Sequence, residues 1–203
     1  MNRSANLSIY SGLKKWGWYL DDLERWGRLF ATDQPARVLE IGAFDGVSAN
    51  VMLDVLFSHS DSSVHCVDAF LPDPTTPQVN ETTRRLFEEN MVAGGHEAQI
   101  RLHVGLSLEV LARMITLSDF RSNFDFIYVD GSHLARNVLI DATQSWGLLK
   151  VGGIIVFDDY TWGARNDPYG RPKIAIDAFV KVFADRLFPV LDGGRKGYKK
   201  LSE

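Results

Sequence analysis

FDFIYVDGSH, residues 124–133, and IIVFDDY, residues 154–160, each run through hydrophobic residues and then stop in acid. A short apolar run ending in turn chemistry is the pattern of a strand buried on both faces, as in a parallel sheet. In an open parallel sheet, ligands bind just beyond the carboxyl ends of the strands. The two runs therefore deliver Asp130 and the pair Asp158–Asp159 to one region. Three carboxylates brought together there need a positive charge to neutralise them, and a divalent cation is the simplest one. The pattern predicts a metal-assisted enzyme.

Working outward, strand and helix patterns alternate along the chain. VLEIG, VHCVD, IRLHV, FDFIYV and GIIVF read as buried strands. The stretches 47–57, 80–93, 107–117, 134–149 and 173–185 read as helices. FPVLD and GYKKLS flank Gly193–Gly194 and predict a closing antiparallel hairpin. Repeated βα units imply an α/β fold: a doubly wound, mostly parallel seven-stranded sheet with helices on both faces and the hairpin at one edge. Ahead of it, Trp16, Tyr19, Leu20, Leu23, Trp26 and Phe30 form a helical stripe. This extra N-terminal helix serves as core, as part of the site's closure, or as a homodimer surface. Residues 69–79 hold three prolines and cannot form a regular element. No repeat or linker divides the chain, so one domain is expected over 1–203: a helical extension (1–35), a cofactor-binding core (36–157), and an acceptor loop, helix and hairpin (158–203).

Composition narrows the function. The chain has 203 residues with 45% hydrophobic content, ordinary for a packed core. A net charge of −4 and the lack of a basic stripe disfavour nucleic acid and anionic membranes as partners. Cys66 is the only cysteine, which excludes an intrachain disulfide. The start lacks a signal-peptide core, and no run approaches the ~20 apolar residues that span a bilayer. A cytoplasmic protein is expected.

The first strand leads into E-I-G-A-F-D-G, residues 40–46. Gly42 and Gly46 allow a sharp turn and close approach of a ligand. A dinucleotide fold would carry G-x-G-x-x-G and offer its helix N-terminus to a pyrophosphate. Here Phe44 and Asp45 occupy the turn. An acid at that helix start repels phosphate and suits a ligand carrying an amino group and a sulfonium, and Glu40 strengthens the preference. Asp68 ends the second strand, where a carboxylate can accept both ribose hydroxyls. Gly105-Leu106-Ser107 ends the third in a small turn able to face a base.

VLEIGAFDG and VHCVD resemble the first two motifs of the class I S-adenosylmethionine-dependent methyltransferases, which have a Rossmann-like sheet. FDFIYVDGSH followed by LLKVGGIIVFDDY is similar to their small metal-dependent O-methyltransferase branch, which includes catechol, caffeoyl-CoA and macrocin types. The resemblance covers residues 36–160. It implies that Glu40, Gly42, Ala43, Phe44 and Gly46 surround the methionine part of S-adenosylmethionine, with Asp130 close by. Asp68 would hold the ribose and Ser107 the adenine side. Asp130, Asp158 and Asp159 match the metal-binding carboxylates. The catechol type has an amide at the place of Asp159, and the acid here is closer to macrocin-type enzymes. His133 falls where the catechol type has a basic lysine.

The chemistry implied is methyl transfer to a hydroxyl. A metal, Mg²⁺ first and Mn²⁺ second, would lower the acceptor's pKa. His133 and Asp130 form the expected catalytic pair, His133 taking the proton. The acceptor is expected to be a small molecule or carbohydrate, with a sugar hydroxyl favoured by the macrocin-type likeness. Loops 69–79 and 160–172 would select it, the second through Tyr160, Trp162, Arg165, Tyr169 and Arg171. Blander readings exist: Asp130 and Asp159 as turn caps, His133 as an exposed helix-start residue, Asp141 as a surface acid. The rival activities are a metal-independent methyltransferase and a nucleotide-binding oxidoreductase.

Overall fold

Five parallel strands rich in branched and aromatic residues carry the molecule: β1 (Arg37–Ile41), β2 (Ser63–Asp68), β3 (Ile100–Val104), β4 (Phe124–Val129) and β5 (Leu149–Phe157). The hairpin β6 (Leu187–Leu191) and β7 (Lys196–Lys200) adds antiparallel to β5. The seven-stranded, mostly parallel sheet expected from the alternation is present, and its order is β3-β2-β1-β4-β5-β7-β6. The computed structural model describes residues 25–74, 76–163, 167 and 169–203. Of the expected N-terminal stripe, Trp16, Tyr19, Leu20 and Leu23 lie outside the described residues, as does Arg165.

Side chains alternate across the strands and build one core on each face of the sheet. Val38, Val64, Cys66, Phe126, Tyr128 and Val156 meet the helical segment 25–30, α1 (Val47–Val51) and α2 (Glu81–Gly94). Leu39, Ile41, Val67, Ile127, Val129 and Phe157 meet α3 (Ser107–Thr116), α4 (Ala135–Leu148) and α5 (Lys173–Val182). Trp26 is only 1% exposed and packs edge-on against Tyr128 at 5.3 Å. Burying such a ring contributes about 3 kcal/mol.

Local chemistry sets the element ends. Asn80 caps α2 by accepting from the Thr82 N–H at 2.8 Å, and its own N–H donates to Thr83 Oγ1 at 3.2 Å. The helix expected over 47–57 stops being α-helical after Val51 and widens into a π-turn over Met52–Leu56. Met52, Leu53 and Leu56 are buried there, so packing overrides the regular ladder. The fifth strand begins at Leu149, ahead of Gly152–Gly153. Lys200 is fully buried and donates to the Trp146 and Leu149 carbonyls at 3.1 and 2.9 Å, placing its charge at the C-terminus of α4. Among the described residues no helix is long and apolar enough to cross a membrane.

Candidate active site

Register decides what meets at the sheet's edge. Ile41 pairs with Val67 and Val129, and Val129 pairs with Phe157. The strands β2, β1, β4 and β5 thus end in one row. Asp68, Gly42, Asp130 and Asp158 emerge side by side. Backbone bonds carry the row one step further: Gly42 N to Val67 O at 2.9 Å, Asp130 N to Ile41 O at 2.8 Å and Asp158 N to Val129 O at 3.0 Å. Strand order reverses between β1 and β4, so this is also the switch point of the sheet.

A cleft of roughly 300 Å³ opens there. Gly42 and Phe44 line one side, Asp130 and Gly131 the other, with Asp68 and Ser107 also in its wall. Gly42 has a left-handed φ of 89°, and a Cβ on it would lie 2.1 Å from the Asp130 carbonyl oxygen. Only glycine allows the two strand ends to approach this closely. The proline-bearing loop contributes Leu71, Pro72 and Thr76 to the wall.

Asp68 is braced before any ligand arrives. Its Oδ2 accepts from the Phe44 N–H at 2.9 Å and its Oδ1 from the Phe70 N–H at 2.7 Å. Both phenylalanines sit at left-handed φ, 46° and 50°, which aims their N–H groups at the carboxylate. Burial raises the Asp68 pKa, against these bonds. Each oxygen keeps a lone pair for an incoming hydroxyl.

Glu40 is differently placed. It is fully buried behind the turn and is not among the cleft-lining residues. Its carboxyl accepts from the Ser48 hydroxyl and, at 3.5 Å, from the Cys66 thiol. Burial pushes its pKa up to about 8, with the two hydrogen bonds opposing. Ala43 and Gly46 also lie behind the lining rather than in it. Gly46 closes against Phe87, which a Cβ would meet at 2.7 Å.

Beside the cleft, ligand-capable atoms of Asp130, His133 and Asp159 lie within 4.8 Å of one another. His133 Nε2 is 2.8 Å from Asp159 Oδ2. Burial raises the Asp130 pKa strongly, and Asp158, Asp159 and Glu40 add to it while Arg195 opposes. The Trp162 ring, 38% exposed, packs 4.3 Å from the imidazole.

Of the expected trio of Asp130, Asp158 and Asp159, the first and last share this cluster with His133. Asp158 is the strongest charged neighbour of Asp130. Asp158 turns inward: its Oδ1 is 2.9 Å from Arg195 Nε and accepts from the Asp159 N–H at 2.7 Å, and its Oδ2 accepts from the Tyr128 hydroxyl. Two causes are visible. Phe157 pairs with Lys196 across β5 and β7, which sets Arg195 alongside Asp158. Asp159 adopts a left-handed φ of 56°, which sends its side chain to the other side of the turn. Sequence reading missed Arg195 because only the tertiary register brings it here. It also missed Asp141, which is buried, shares a hydrogen bond with Ser107, and has its pKa pushed up to about 6 by desolvation.

The two carboxylates suit Mg²⁺ or Mn²⁺, and the imidazole beside them can serve such a site as a further ligand or as a base. Asp130, half-buried beside two further acids, lacks a full counter-charge, and a cation would supply it. The residues therefore fit such an ion.

Residues 39–160 match the model of a methyltransferase domain family. The chain belongs to that family. It is 22% identical to the caffeoyl-CoA O-methyltransferase of Stellaria longipes over 153 residues, 75% of this chain and 56% of that protein. The chain thus spans little more than half the length of that curated relative. Among solved structures it resembles the O-methyltransferase TomG from Streptomyces achromogenes in complex with SAM, with a TM-score of 0.69, 16% identity, and coverage of 99% of this chain and 92% of that one. It also resembles the MycE methyltransferase of the mycinamycin pathway in complex with Mg and SAH, with a TM-score of 0.61, 18% identity, and coverage of 88% and 49%. At these identities the structural likenesses establish the fold.

Proposed function

We propose that the protein is an S-adenosylmethionine (SAM)-dependent, divalent-metal-assisted O-methyltransferase acting on a hydroxyl of a small molecule, a sugar or glycosylated metabolite being favoured. The observation that carries this is the aligned row of strand ends, with the braced Asp68, the Gly42 turn and Asp130 on one cleft and the Asp130–His133–Asp159 cluster beside it. TomG with SAM, and MycE with Mg, SAH and mycinamycin VI, support the donor, the metal and a small-molecule acceptor by analogy.

In this reading Asp68 accepts the ribose hydroxyls, pre-oriented by the Phe44 and Phe70 N–H groups. Ser107 lies towards the adenine, and Gly42 lets the methionine part approach the backbone. SAM supplies an electrophilic methyl when bound, and the cation lowers the pKa of the acceptor hydroxyl. Asp130 and Asp159 would hold that cation. His133 takes the acceptor proton, and Asp159, whose Oδ2 lies 2.8 Å from its Nε2, balances the imidazolium that forms. Trp162 offers an exposed apolar face beside His133 for the acceptor.

The test is methyl transfer from SAM to a panel of sugar and phenolic hydroxyls, with Mg²⁺ or Mn²⁺ and then with chelator. Turnover should vanish in chelator and return with metal, and His133→Ala should slow it by about 10²–10⁴-fold. Chelator-resistant turnover would replace this reading with a metal-independent methyltransferase.

A further inference from the structure

The two adjacent aspartates that close β5 have opposite surroundings. Asp159 faces His133, with its side chain 27% exposed. Asp158 is 5% exposed and faces a guanidinium that is itself 8% exposed. That guanidinium belongs to Arg195, in the β6–β7 turn, far from both acids in sequence.

The turn is held against the site at several points. Its strand pairs Lys196 with Phe157. The Gly194 carbonyl accepts from the Tyr160 N–H at 2.9 Å. Arg25 Nη2 donates to the Asp192 carbonyl at 2.9 Å, and the Arg195 guanidinium lies 5.6 Å from the centre of the Trp26 ring. On its far side Asp158 accepts from the Tyr128 hydroxyl, and Tyr128 packs on Trp26. Arg195 is thus delivered by the hairpin, backed by the N-terminal helical segment, and fixed on Asp158.

We propose that Arg195 is a positioning residue that acts as a built-in counter-cation, clamping Asp158 out of the metal cluster so that Asp159 and Asp130 alone supply its carboxylates. The inference rests on the metal-assisted reading above. Three carboxylates and one guanidinium leave two negative charges, which one divalent ion neutralises. Without Arg195 a third negative charge would remain beside the ion, and Asp158 would be released to bind it. The closing hairpin is on this account part of the active site, where it sets both the charge and the choice of ligand.

The experiment measures Mn²⁺ binding by calorimetry, with S-adenosylhomocysteine present, for the wild type, Arg195→Met, the charge-balanced double variant Arg195→Met/Asp158→Asn, and Asp159→Ala, each first checked for folding by circular dichroism. Arg195→Met should bind Mn²⁺ at least tenfold more tightly. The double variant, which removes both charges of the clamp, should stay within about threefold of wild type, and Asp159→Ala should lose at least tenfold. Should Arg195→Met fail to fold, the contrast between the double variant and Asp159→Ala decides the matter. Equal affinity in wild type and Arg195→Met, or loss of binding in the double variant, overturns the clamp and leaves the metal reading intact. Binding in none of the proteins, or in Arg195→Met alone, overturns both.

Discussion

Replacing Glu40 by Gln should make the protein more stable, by an amount that grows with pH. Glu40 is fully buried, and its carboxyl is pushed from an ordinary 4.5 to about 8. The folded state therefore holds a proton that the unfolded chain releases near 4.5. Between those values the unfolded state binds fewer protons, so stability falls as pH rises and levels off above the folded pKa. At about 1.4 kcal/mol per unit, the full penalty is roughly 4–5 kcal/mol, and about 3–4 kcal/mol of it accrues between about pH 5 and pH 9. Gln keeps the shape, can accept from Ser48, and presents its amide to the Cys66 sulfur. Urea denaturation at stepped pH gives the difference between the two proteins, in which their other titrations cancel. A gap that opens by a few kcal/mol towards alkaline pH is expected. Parallel curves would refute the burial argument and show that Glu40 ionises in the fold without cost.

Other substitutions probe separate links. Gly42→Ala should cost more than about 3 kcal/mol, because the Cβ would meet the Asp130 carbonyl and the backbone is left-handed; thermal unfolding reads it, and cofactor binding should fall with it. Lys200→Met should lower stability by about 2–3 kcal/mol by stripping buried carbonyls at the end of α4 of their donor. Its turnover per folded molecule should be unchanged, since the group lies at the other end of β5's partner strand from Lys196, which pairs with Phe157.

Much of this architecture is local and was readable in the chain. VLEIG, VHCVD and FDFIYV are buried runs ended by glycine or acid, and the sheet needs no more than that to align Gly42, Asp68 and Asp130. The hairpin was equally visible from the Gly193–Gly194 turn. What could not be read was the partition of Asp158 from Asp159. Neighbours in sequence look alike as acids, and their roles separate only through the β5–β7 register and a left-handed residue between strand and loop. Glu40 illustrates the same limit. Its place in the motif suggested a ligand-facing acid, whereas the pleat turns it into the core beside Cys66. Asp141 lies on a helix whose pattern did not distinguish its buried face from the surface. His65 and His103 show the reverse case of neighbours distant in sequence: their rings stack at 5.2 Å, with burial lowering both pKa values.

On the proposed function, the cleft beside Asp68 binds SAM. Calorimetric titration of SAM into the wild type and Asp68→Ala tests it most directly. One site per chain is expected, with affinity lowered at least tenfold in the variant, since it loses both ribose acceptors and the brace on the Phe44 and Phe70 N–H groups. Absence of binding to the folded wild type, or equal affinity in the two proteins, would contradict it.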